Sequence, residues 1–325
     1  MGVAALYYQD YASVGRNNHT IVKEIVPSNY VRGLYRYARD ILFATPVPYQ
    51  PIGTDARVVD KGGKPTLMFL VVGETARSQN YSLNGYQKQT NGFTMKEPDL
   101  VSFRDVRSCG TATAISVPCM FSNLGRADYS DARARTQEGL LDVLQRAGLR
   151  VLWRDNQSGC KGTCDRVAFQ DLSESKDPAL CAGGECHDEI LLRDLQAFID
   201  GLQQDTVLVL HQMGSHGPAY FKRAPADRKP FQPECTSITL ADCPADALRN
   251  SYDNSIAYTD HVLGLALAWL DGHARSGQVA PGLIYMSDHG ESLGEGNVYL
   301  HGLPYAFAPA EQKRVPMVTW LSNPL

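Results

Sequence analysis

Three short segments of this chain place carboxylates and imidazoles directly behind apolar runs. Gly73-Glu74-Thr75-Ala76-Arg77 follows 66–72. His211-Gln212-Met213-Gly214-Ser215-His216-Gly217-Pro218 follows 206–210, and Ser287-Asp288-His289-Gly290-Glu291-Ser292 follows 283–286. Carboxylate oxygens and imidazole nitrogens together suit Zn²⁺. A lone histidine at such a place is more simply a buried or surface side chain. Glu74, Asp288 and His289, each at a strand end, share a common explanation as metal ligands. Glu291, His216 and His301 extend the set and would serve a second metal or a substrate head group. A structural zinc site is closed by four Cys or His ligands, so the mixed set points to an open, catalytic one.

A fourth segment supplies hydroxyls. Ser108-Cys109-Gly110-Thr111-Ala112-Thr113-Ala114-Ile115-Ser116-Val117-Pro118-Cys119 is a small-residue loop that opens a helix. A hydroxyl at a helix N-terminus facing zinc ionises more easily, because both stabilise the anion. The plainer role for Thr111, Thr113 and Ser116 is capping. Spacing alone does not choose among the three.

These segments need elements to carry them. The run 66–72 is continuously apolar rather than alternating, as in a central parallel strand buried on both faces. Similar runs at 151–153, 206–210 and 283–286 each follow a helical stretch: 138–148 with Gly148 as its C-cap, 189–202, and 251–270. A last strand is expected at 315–321. Alternating helices and strands predict an α/β fold with a mostly parallel sheet. Ligands then bind beyond the carboxyl ends of the strands, where the segments above lie. Pro46-Val47-Pro48 and Pro51 read as a linker, which divides the chain into an N-terminal helical segment, 1–50, and a single catalytic domain, 51–325. Residues 222–246, with several prolines and two cysteines, read as a surface excursion.

The chain has 325 residues, 43% of them hydrophobic, and a net charge of −4. No basic block or arginine-rich helix suggests a nucleic-acid partner. There is no 18-residue apolar run and no signal peptide. Val3-Ala4-Ala5-Leu6-Tyr7-Tyr8 suits a helix at a membrane surface, and equally an ordinary amphipathic helix; the reading adopted is a membrane part lying upstream. The eight cysteines fall as 109/119, 160/164, 181/186 and 235/243. Sequential local disulfides are the simplest pairing, and they imply an oxidising compartment. Zinc binding by Cys160/Cys164 and Cys181/Cys186 is the rival reading. The other two spacings are unlike zinc knuckles.

The segments around Glu74, Cys109–Thr113, His211–Tyr220, Ser287–Ser292 and His301-Gly302 resemble the phosphoethanolamine–lipid A transferases. These are inner-membrane enzymes of Gram-negative bacteria that include the mobile colistin-resistance proteins. The motifs match in order over essentially the whole chain. The resemblance implies an alkaline phosphatase/sulfatase-like fold with a central, mostly parallel sheet flanked by helices. It implies Zn²⁺ held by Glu74, Thr113, Asp288 and His289, with Thr113 as nucleophile and a second zinc ion as an option. His216 and His301 match head-group or second-zinc histidines, Glu291 an acidic partner, His211 a nearby histidine, and Lys161 a lysine that contacts the head group. Asn156-Gln157 stands where related sequences tend to have Asn-Asn, so Gln157 takes a substrate-binding position with a reach one methylene longer. Cys160/Cys164 looks like an extra bridge relative to some members.

The implied reaction moves phosphoethanolamine from phosphatidylethanolamine to lipid A through a phosphoethanolamine-threonine intermediate, lowering affinity for polymyxins. It would run on the periplasmic face of the inner membrane, in a monomer joined to N-terminal membrane helices that are absent here. The resemblance also implies a continuation past Leu325. Other readings are a transferase or phosphodiesterase of the same superfamily with a different acceptor, such as a core heptose, and a non-catalytic module with structural zinc. A sulfatase would need a C-x-P-x-R type signature, and the loop at 108–119 has none.

Overall fold

The structure, a computed structural model, describes residues 48–59, 63–200 and 202–322, with parts of 30–38. Most of the N-terminal segment, including the run at Val3–Tyr8, lies outside the described residues. Those described between 30 and 38 are helical. Among the described residues no helix is long and apolar enough to cross a membrane.

Seven strands form the central sheet: β1 Thr66–Gly73, β2 Val101–Arg107, β3 Arg150–Asp155, β4 Ala168–Asp171, β5 Thr206–His211, β6 Ala280–Ser287 and β7 Arg314–Leu321. Their order is β2-β7-β6-β1-β5-β3-β4. Only β7 runs against its neighbours; every other contact is parallel. β1 lies at the centre, paired with β5 and β6.

The continuous apolar runs follow from burial on both faces. Leu67, Phe69 and Val71 of β1, with Leu208 and Leu210 of β5, face one helical layer. Val72, Val207, Val209 and Trp153 face the other. The first layer is the long helix α3, Ala245–Ser276, which buries Leu248, Tyr252, Ile256, Leu263, Leu267 and Leu270 at helical spacing. Phe69 stacks on its Trp269 at 5.6 Å. The second layer includes α1, Thr113–Met120, and α2, Leu140–Arg146, which bring Val117, Phe121 and Leu141 onto the sheet. Gly148 follows α2 at φ 102°, the left-handed conformation expected of it.

The helix expected over 189–202 is instead two short pieces, a 3₁₀ turn at Asp188–Leu192 and an α-turn at Leu195–Ile199. Asp194 between them is left-handed at φ 55°. Ile190, Leu191, Leu195 and Ile199 are all buried, so the apolar pattern survives the break. Asp188, at the start of the first piece, accepts from the amides of Met213 and Gly214 at 2.7 and 2.8 Å. The strands β2 and β4 lack an apolar run because they are exposed edges. All four sequential cysteine pairs are disulfides, which removes the zinc-knuckle reading.

The stretch behind β1 is tied to α3 by buried polar groups. Tyr252 donates to the Thr75 carbonyl at 2.7 Å and accepts from the Arg77 amide at 3.0 Å. Asp253 is fully buried and accepts from Asn80, from Tyr86 at 2.9 Å and from Lys88 at 2.8 Å. Truncating it leaves the Asn80 and Tyr86 donors unmatched, while Lys88, partly exposed, keeps its bond to Asn250 at 2.7 Å. Asp253→Ala should therefore cost about 2–4 kcal/mol in urea unfolding. A change under about 0.5 kcal/mol would show that the network does not hold this stretch.

Candidate metal centre and nucleophile

The register of the sheet assembles the centre. Gly73 pairs with Ser287, and Val72 with His211. The next residues, Glu74 and Asp288-His289, emerge side by side at the carboxyl edge. Two glycines allow the close approach. At Gly290 a Cβ would lie 2.0 Å from the Glu311 carbonyl oxygen, and at Gly214, with φ +52°, 2.6 Å from the Glu74 carbonyl oxygen. Thr113 opens α1 at the same edge, its own N-cap Ala112 offering no side-chain cap.

Glu74, Asp288 and His289 are fully buried and offer ligand atoms within 4.8 Å of one another. The Thr113 hydroxyl donates to Glu74 Oε2 at 3.0 Å and lies 3.3 Å from His289 Nε2. The His289 ring has its Nδ1 on the Gly290 carbonyl at 2.9 Å, which turns Nε2 inward. Asp288 Oδ1 accepts from the amides of Thr75 and His289, while its Oδ2 is buried with no hydrogen-bond partner. An orphaned carboxylate oxygen beside a second carboxylate and an inward imidazole fits a divalent cation.

The other hydroxyls of the loop are spent elsewhere. Thr111 donates to the Leu303 carbonyl and Ser116 to the Asp288 carbonyl. Thr113 alone of the three meets the cluster.

Charge pressure follows from burial. Burial, then the Glu74 charge, pushes the Asp288 carboxyl up to about 6. Burial alone would lower His289, but Asp288 and Glu74 raise it to about 10. Glu74 is likewise opposed by burial, yet its contact with His289 holds it well below the usual carboxylate range. A protonated imidazole thus balances two buried carboxylates.

A second group adjoins the first. Glu291 is fully buried, accepting from Tyr220 and meeting His301 Nδ1 at 2.7 Å. The His301 ring lies 4.2 Å from His289 and 6.0 Å from His216. His289, Glu291 and His301 could hold a second cation. Burial pulls the His216 imidazole down.

The sequence profile of the family described as Sulfatase matches residues 66–324. The chain belongs to this family. A profile described as phosphoethanolamine transferase EptA/EptB matches residues 1–42. The chain is 47% identical to phosphoethanolamine transferase EptA of Salmonella typhimurium over 324 residues, 99% of this chain and 58% of that one. It is 44% identical to phosphatidylethanolamine transferase Mcr-1 of Escherichia coli over 264 residues, 79% of this chain and 48% of that one. It thus spans about half the length of these curated relatives. The solved soluble domain of lipooligosaccharide phosphoethanolamine transferase A from Neisseria meningitidis superposes with a TM-score of 0.82 at 40% identity, covering 85% of this chain and 83% of that one. Within the sulfatase fold, its kinship is with the phosphoethanolamine transferases.

Two sequence candidates of this sulfatase-family chain direct their hydrogen bonds away from the cluster. His211 is buried, its Nδ1 on Asp155 Oδ1 at 2.8 Å and its ring edge-on to Trp153. Lys161 bonds to the Ser158 carbonyl at 2.7 Å, on the loop closed by Cys160–Cys164. Gln157 does reach the cluster, donating to Glu74 Oε2 at 2.8 Å. Its longer side chain therefore touches a candidate ligand carboxylate. Sequence reasoning missed Asp155 and Tyr220, the partners of His211 and Glu291. Asp155 ends an apolar strand, which was its available signal; Tyr220 had none beyond its place in the histidine segment.

A metal ligand must be deprotonated, so binding should expel the His289 proton. With Zn²⁺ as probe, calorimetry at pH 8 in buffers of differing ionisation enthalpy should report about one proton released per ion, rising below pH 6 as Asp288 joins. Asp288→Asn should weaken binding about 100-fold, while His211→Gln should leave it within about threefold. Equal losses in both variants would contradict the assignment of ligands.

Proposed function

We propose that this chain is the catalytic part of an enzyme that moves phosphoethanolamine from phosphatidylethanolamine to a phosphate of lipid A, with Thr113 as the covalent carrier. The observation that carries the reading is the Thr113 hydroxyl, bonded to buried Glu74 and facing His289 at the start of a helix. Glu74, Asp288, His289 and Thr113 would hold Zn²⁺. When bound there, Zn²⁺ would favour the Thr113 alkoxide and offset charge on the phosphoryl oxygens.

The chain's own groups account for the rest. Glu74 Oε2 orients the Thr113 hydroxyl, whose proton is released to solvent as its oxygen attacks. Oγ1 of Thr113 attacks phosphorus, and the bond from phosphorus to the diacylglycerol oxygen breaks. That oxygen takes a proton from His216 or His301, the imidazoles beside the cluster. An oxygen of the acceptor phosphate then attacks the phosphorus of the phosphoethanolamine-threonine, and the bond from phosphorus to Thr113 Oγ1 breaks. Thr113 recovers a proton from solvent, and the imidazole recovers one from the acceptor phosphate. Both oxygens of Glu291 are engaged, by Tyr220 and His301, which favours a head-group role for this second group over a second metal. His211 would act from behind the cluster, Gln157 by steering Glu74, and Lys161 at the rim. The four disulfides fit an oxidising compartment, hence the periplasmic face of a Gram-negative inner membrane. The match at 1–42 and the greater length of the relatives support attachment to membrane helices. Masking of lipid A phosphates would weaken binding of polymyxins.

With phosphatidylethanolamine as donor, diacylglycerol release by Thr113→Ala should fall by about 10³-fold or more, and mass spectrometry should find a phosphoethanolamine adduct on Thr113 of the unaltered protein. Full activity in Thr113→Ala would overturn the reading. Transfer to a core heptose but not to lipid A would keep the chemistry and change the acceptor.

A further inference from the structure

The stretch behind His301 is built like a membrane-contacting loop. From Val298 to Ala310 the chain carries no Asp, Glu, Lys or Arg. Within it the Pro304 carbonyl accepts from the amides of Phe307 and Ala308, both at 2.9 Å, closing a turn. Val298, Leu303 and Ala308 pack beneath as a small core. The turn is thus fixed from below and presents Phe307 outward, 72% exposed. A large aromatic ring held in water costs hydrophobic free energy that burial would recover.

The loop adjoins the candidate nucleophile. The Thr111 hydroxyl bonds to the Leu303 carbonyl, linking the turn to the loop that opens α1. Arg126 bonds to the Cys109 carbonyl at 3.4 Å and lies over the Tyr305 ring. Ile115, two residues past Thr113, is 46% exposed. Two cations flank the turn: Arg126 and Lys313 lie 3.2 and 5.3 Å from the centre of the Tyr305 ring, and Lys313 donates to the Tyr305 carbonyl at 3.4 Å. The flank of the turn therefore carries positive charge on a chain whose net charge is −4. Exposed apolar side chains flanked by cations match an anionic phospholipid surface.

We infer that the 303–309 turn docks on the bilayer, with Phe307 inserted at the interface of acyl chains and head groups. The mouth of the site beside Thr113 and His301 would then face the lipid surface, where a donor head group could enter without the whole lipid leaving the membrane. The binding claim stands apart from the transferase reading; only its activity consequence rests on that reading.

The test uses the full chain with sucrose-loaded vesicles of phosphatidylethanolamine and phosphatidylglycerol, and with neutral phosphatidylcholine vesicles. Phe307→Ser should cut co-sedimentation with the anionic vesicles about tenfold, and Phe307→Trp should restore it, with melting temperatures unchanged. Binding by the unaltered protein should be weaker on phosphatidylcholine and should fall with salt. In turnover, Phe307→Ser should lose activity on vesicle-borne donor and keep it on a short-chain donor dissolved as monomer. Equal co-sedimentation of all variants would overturn the inference, as would a dimer in the unaltered protein that Phe307→Ser dissociates. If no donor turns over, the transferase reading fails while the vesicle binding still decides this one.

Discussion

Two carboxylates buried side by side are the constraint on which the centre depends. Glu74 and Asp288 sit at the ends of adjacent parallel strands, fully buried, with ligand atoms no more than 4.8 Å apart. At an effective dielectric near 20, two such charges repel by about 3 kcal/mol, before any desolvation cost. A cation must lie between them. In the structure the His289 imidazolium fills that part; a divalent ion would do so more completely and free the imidazole as a ligand. Asp288 Oδ2 shows the shortfall: it accepts no hydrogen bond and meets the His289 ring only at 3.4 Å. The scaffold tolerates this because both strands are paired along both edges and β1 is covered on both faces.

The same constraint organises what surrounds the centre. Thr75, the His289 amide and Gln157 each donate to one of the two carboxylates. The long helix clamps the backbone just behind Glu74 through Tyr252, and Arg77 reaches from there to the Glu291 carbonyl at 3.2 Å and to Glu295 at 2.7 Å. Strand β1 and the loop after β6 are thereby tied twice, once at the carboxylates and once behind them. The close approaches at Gly214 and Gly290 remove the slack that any side chain would introduce.

Much of this was legible from residue order alone. Apolar runs covered on both faces reveal themselves as continuous rather than alternating, so the four central parallel strands and the residues behind them could be found. The cysteine pairs were legible because each partner is near in sequence. The edge strands β2 and β4 were not, since an exposed strand needs no apolar run. Nor was the break at Asp194, because burial of Ile190, Leu191, Leu195 and Ile199 keeps a helical spacing through a non-helical residue. Among the hydroxyls, spacing allowed Thr111, Thr113 and Ser116 equally. Their separation depends on carbonyls from Leu303 and Asp288, almost two hundred residues away in one case. The pairing of His211 with Asp155 rather than with the cluster is likewise a long-range fact.

In the proposed reaction the transferred group would rest on Thr113 between donor and acceptor. The most direct test is the stereochemical course at phosphorus, followed with a donor made chiral there by isotopic or sulfur substitution. Two successive in-line displacements, first by Thr113 and then by the acceptor, predict net retention of configuration. Net inversion would mean a single direct transfer and would contradict the account.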